Sequence, residues 1–150
     1  MQHPQRKPPT YPPLLKASWE RITPRADEFM NVLYARLLAR PEVRDRFFTD
    51  VNMEVHTYSM WEALRFLIEN VEPIGAIIPT LSRLGTYHER LPAPVTARHY
   101  SALWECLVAT LIEFEGDHWT PDLHKAWWSA YWMFTGFMLM EGSRWRLYCT

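Results

Sequence analysis

From Leu14 onward, apolar residues return at intervals of three and four, and no alternating run lasts long enough to argue for a strand. This periodicity limits the chain to helices that each bury one stripe, so the expected fold class is all-α. Proline supplies the punctuation. Thr23-Pro24 and Thr120-Pro121 each set a capping hydroxyl before a residue whose missing N–H costs nothing in a first turn. Pro41, Pro73, Pro79, Pro92 and Pro94 mark further boundaries or first turns. The pattern predicts seven helices, near 14–22, 24–39, 41–47, 54–71, 77–90, 96–115 and 121–142. Five of the 12 prolines fall earlier, at Pro4, Pro8, Pro9, Pro12 and Pro13, so residues 1–13 read as an extended tail ahead of one domain over 14–150.

Composition excludes several classes of function. Sixteen Lys+Arg balance seventeen Asp+Glu, which leaves no field for a sequence-independent nucleic-acid binder. Only five glycines are present, too few for phosphate-cradling loops. Cys106 and Cys149 form neither a disulfide framework nor a C-x-x-C metal motif. The longest uncharged run, Ala126 to Met140, is 15 residues and short of a bilayer span. The first residues lack the apolar core of a signal peptide, so the expectation is a cytoplasmic protein. The unusual feature is aromatic: eight Trp, seven Tyr and seven Phe call for a large flat guest, a partner surface, or both.

Two helix faces carry the first chemical clue. Met60, Ala63, Leu64, Leu67, Ile68 and Val71 form one apolar stripe, and four residues before Met60 stands His56. Ile77, Leu81 and Leu84 form another, and four residues after Leu84 stands His88. A single such histidine is more often a hydrogen-bonded core residue. Two on successive helices, with no acidic partner at helical spacing on the same stripe, point elsewhere. Zinc would need about two further ligands that the sequence does not supply. A cofactor carrying its own equatorial ligands needs protein only on its axis, which describes haem.

These residues resemble the globins, in particular the single-domain bacterial haemoglobins and the globin domain of flavohaemoglobins. Ile78-Pro79-Thr80-Leu81, Leu84-Gly85 and His88 are similar to that family's proximal helix. Pro41-Glu42-Val43-Arg44 followed by Phe47-Phe48 is similar to its short third helix. Ser18-Trp19, His99-Tyr100 and Ala126-Trp127 with Ala130-Tyr131 match in order, so the resemblance runs from about Leu14 to Gly142.

The resemblance implies a haem b (iron protoporphyrin IX) with His88 as axial ligand and His56 at the distal position, where an imidazole can also ligate the iron. Met60 falls one turn on. Tyr34 matches the distal tyrosine when the chain is counted from Trp19; counting back from Pro41 gives Leu33. Phe47 and Phe48 compete for stacking on the porphyrin. Tyr100 and Glu141 resemble the proximal pair that makes the ligand histidine more basic. His99, His118 and His124 read as surface histidines, and Asp27 and Glu28 as first-turn carboxylates on a helix dipole.

The function implied is reversible binding of a diatomic gas, O2 or NO, with CO as an analogue. The flavohaemoglobin likeness adds conversion of NO to nitrate; no flavin or nicotinamide motif follows, so turnover would need an external reductase. Two other classes stay open: a haem-based gas or redox sensor, and a haem-free interaction module. Finally, Trp127, Tyr131, Phe134 and Met138 make a core stripe, whereas Trp128, Trp132 and Leu139 lie well round from it. A helix apolar on nearly all sides must be covered on nearly all sides, by its own chain or by a second copy in a homodimer.

Overall fold

The computed structural model describes residues 11–47, 52–71, 83 and 95–148, and among them every regular element is helical. The first helix, α1 (Tyr11–Ile22), begins three residues earlier than expected. Pro12 and Pro13 are part of its first turn, where N–H groups have no intrahelical acceptor to lose. Its buried residues, Leu15, Ser18, Trp19 and Ile22, keep the three- and four-residue spacing of one face.

Thr23 does not cap the next helix. Residues Thr23–Arg25 form a 3₁₀ turn, and the Thr23 hydroxyl donates backward to the Trp19 carbonyl at 2.7 Å. The second helix, α2 (Ala26–Leu38), therefore starts two residues later than predicted. Asp27 and Glu28 occupy its first turn as expected, and Glu28 pairs with Arg25 at 2.9 Å. Phe29, Met30, Leu33, Tyr34 and Leu37 make its buried face. A short helix, α3 (Pro41–Phe47), follows, with Val43 in the core.

The fourth helix, α4 (Met53–Glu69), is capped by Asn52, whose side chain accepts from the amides of Glu54 at 3.1 Å and Val55 at 3.3 Å. Leu64, Leu67 and Ile68 are buried, while Ala63 is exposed, so the stripe is narrower than the sequence pattern indicates. Trp61 takes up the remaining contact by stacking on Trp19, with ring centroids 4.3 Å apart. The predicted helix 77–90 lies outside the described residues.

Two long helices complete the domain. The first, α5 (Ala97–Glu115), ends at Gly116, whose φ of 56° suits the residue without a Cβ. A 3₁₀ turn, Gly116–His118, then leads to α6 (Pro121–Tyr148), six residues longer than predicted. Here the threonine–proline device works: the Thr120 hydroxyl accepts from the Leu123 amide at 3.1 Å.

α1 packs on α6 and α4, and α2 packs on α5, with α3 closing against both of the latter pair. Trp127, Tyr131, Phe134 and Met138 face the core as the sequence indicates. The indole N–H of Trp127 donates to the Ser18 hydroxyl at 3.0 Å, and both groups are buried. Arg21 makes a forked contact with Glu115, its Nε lying 3.1 Å from both carboxylate oxygens and its Nη2 2.5 Å from one. Trp132 stands edge-on to Tyr131 and packs against the core, whereas Trp128 is 49% exposed. Among the described residues, no helix is long and apolar enough to cross a membrane.

Candidate functional site

The candidate site forms where α2 passes α4. Tyr34 belongs to the buried face of α2, one turn after Met30 and one before Leu37, so its ring is held by core packing. His56 lies in the first turn of α4, just after the Asn52 cap, at the upstream end of the stripe that continues through Met60 and Leu64. The two side chains meet. The Tyr34 hydroxyl is 2.5 Å from Nδ1 of His56 and 3.4 Å from the His56 carbonyl oxygen, and the rings are edge-to-face at 89°.

This contact separates Tyr34 from Leu33. Adjacent residues on a helix are about 100° apart around its axis, so only one can turn toward α4. Leu33 is fully buried in the apolar core, and Tyr34 is the residue that reaches His56. Burial also pushes the Tyr34 phenol well above its ordinary ionisation range, so it stays a neutral hydroxyl. An un-ionised hydroxyl and an imidazole thus stand together beside an otherwise apolar interior.

Met60 is half-buried against the core, one turn on from His56. Tyr100 is buried in the first turn of α5, and its carbonyl accepts from the Tyr131 hydroxyl at 2.6 Å. His88 and Phe48 lie outside the described residues, as do the side chains of Phe47 and Glu141.

Two histidines differ from their sequence reading. His99 is buried, not on the surface: its Nδ1 accepts from the Thr96 amide at 3.0 Å, with the Thr96 hydroxyl 3.1 Å away. It fills the third position of α5, where a capping box usually has Glu or Gln, so Thr-x-x-His carried the missed signal. His124 is half-buried, edge-on to both Trp104 and Trp119. It borders a shallow depression of about 400 Å³ with Trp119, Thr120, Pro121 and Lys125, which neither Tyr34 nor His56 lines. His118 is exposed, as expected.

Comparison with known proteins places this chain in a family. Residues 31–138, which include both Tyr34 and His56, match the family model described as Globin. The chain is similar to leghemoglobin 29 of Vicia faba, 25% identical over 129 residues that cover 79% of this chain and 86% of that protein. It is also similar to the flavohemoprotein of Bacillus subtilis (strain 168), 27% identical over 121 residues, 79% of this chain but only 28% of that longer protein. A family match over more than two-thirds of the chain, on an all-helical domain with these packed faces, has one meaning: the chain belongs to the globin family.

Proposed function

We propose that this protein binds haem b and, through it, a diatomic ligand, O2 or NO. The observation that carries the reading is the meeting of Tyr34 and His56 at the flank of an apolar interior, within a globin domain. The relatives' names, leghemoglobin and flavohemoprotein, support the same cofactor. The donor set fits the group: a hydroxyl and an imidazole suit the polar half of a distal pocket, and the adjoining Met60 and Leu64 suit its apolar half. When bound, haem supplies the iron centre to which a diatomic gas coordinates reversibly.

The chain's own residues do the rest. His88 would hold the iron from the proximal side, with Phe47 or Phe48 against the porphyrin and Met60 on the distal side. Tyr100 and Glu141 would act behind His88, accepting its ring N–H and raising its basicity. Tyr34 and His56 would supply hydrogen-bonding capacity toward a ligand that gathers negative charge. Conversion of NO to nitrate would need an external reductase for turnover. Trp128 supports pairing of two copies through α6; Trp132, covered in part within its own chain, does not. A monomer mass by light scattering at high concentration excludes the pair.

The visible spectrum of the purified protein, before and after addition of haemin, tests the central claim. An intense haem band that His88→Ala weakens or abolishes is expected. No band in either sample overturns the reading in favour of a haem-free interaction module. A His88→Ala protein with unchanged spectrum and occupancy overturns the axial assignment.

A further inference from the structure

The Tyr34–His56 contact specifies more than proximity. A neutral imidazole has one N–H, and the nitrogen that carries it is set by the bond the other nitrogen makes. Nδ1 of His56 lies 2.5 Å from the Tyr34 oxygen, so that bond is made. Its direction follows from acidity. A phenol is a far stronger acid than a neutral imidazole N–H, and imidazole nitrogen is the better base, so the O–H donates and Nδ1 accepts. One other acceptor among the described residues, the His56 carbonyl, is 3.4 Å away, at the outer limit of a hydrogen bond. Tyr34 cannot turn elsewhere without leaving the packed face of α2, since its neighbours Met30, Leu33 and Leu37 are all in the core.

We propose that Tyr34 is a positioning residue that sets the tautomer of His56. Its hydroxyl donates to Nδ1, the ring proton resides on Nε2, and His56 meets a distal ligand as a hydrogen-bond donor. The proposal rests on the haem reading only for what Nε2 faces; the tautomer belongs to the side-chain pair itself. It reassigns Tyr34. The hydroxyl proton is committed to the imidazole, so Tyr34 acts on a bound gas through His56 and not by direct donation. It also disfavours His56 as an iron ligand, because coordination through Nε2 requires that nitrogen to give up its proton and Nδ1 to take one.

Ring-nitrogen NMR of the full chain, purified with ¹⁵N-labelled histidine and kept reduced under CO, reads the tautomer directly. The expected wild-type pattern is a protonated Nε2 and an unprotonated Nδ1 on His56, assigned by its loss in His56→Leu. In Tyr34→Phe the ratio of Nε2–H to Nδ1–H tautomers should fall about fivefold, the worth of one ordinary hydrogen bond. The same variant should show a larger six-coordinate fraction in the CO-free visible spectrum. A protonated Nδ1 in the wild type overturns the proposal. So does a Tyr34→Phe protein with normal helical circular dichroism whose His56 nitrogens are unmoved while the infrared band of bound CO shifts, since that marks direct donation by Tyr34. A protein that carries no haem fails the functional reading instead, and its ring-nitrogen pattern still decides the tautomer.

Discussion

Two buried tyrosines in this molecule show two uses of one side chain. Tyr131, in the region where α1, α5 and α6 meet, donates to the Tyr100 carbonyl, a group that can only accept. At other points where the same three helices touch, Trp127 is closed on Ser18 and Glu115 on Arg21. Each of these bonds sets a donor of one helix against an acceptor of another, and the result is a fixed joint between helices. Tyr34 donates instead to a ring nitrogen that can accept, donate or bind a metal. Similar burial and the same hydroxyl give rigidity in one place and a chemical choice in the other. What differs is the partner.

If the first region is a joint, its disruption should cost stability and little else. The largest loss is expected for Trp127→Ala, about 3–5 kcal/mol, from the cavity left by a fully buried indole and the stranded Ser18 hydroxyl. Urea denaturation measures it. Arg21→Ala should follow at about 1–3 kcal/mol, because the Glu115 side chain is wholly buried and would lose its forked partner, while Arg21 itself stays partly solvated. Arg21→Lys should recover only part of that, since an ammonium cannot make the fork.

The paired hydroxyl deletions test the contrast itself. Tyr131→Phe should cost about 1 kcal/mol in stability and leave the His56 ring nitrogens unmoved. Tyr34→Phe should cost no more, yet move them. Burial also lifts the Tyr131 phenol above its ordinary range, so the unfolded chain ionises first as pH rises. Its contribution is whole below about pH 10 and declines above it, a limb that Tyr131→Phe should flatten in denaturation curves taken across that range. The smallest effect belongs to the exposed Arg25–Glu28 pair: Glu28→Gln should change stability by about 0.5 kcal/mol or less.

The helices were legible because a buried face repeats at fixed spacing, and α2, α3 and α5 lie close to their expected spans. The early start of α1 was hidden by Pro12-Pro13, which fits both an extended tail and a first helical turn. Thr23 and Thr120 precede proline alike, but only Thr120 caps; Thr23 is drawn back to the Trp19 carbonyl by the helix that has just ended. His56 could be found as the continuation of a stripe. Its contact with Tyr34 could not, because two landmarks gave registers one residue apart and burial alone does not distinguish Leu33 from Tyr34. The Arg21–Glu115 pair spans 94 residues and exists only once α1 and α5 are docked, so no local spacing announces it.

The hydrogen bond from Trp127 to Ser18 closes a span of 109 residues. During synthesis α1 is made before α6, and the surface that buries Leu15, Trp19 and Ile22 is not complete until α6 has left the ribosome. Until then the nascent chain exposes an apolar helix whose principal partner does not yet exist. Such a chain cannot bury α1 until α6 has been made, and α1 is the segment on which a holding chaperone would find its grip.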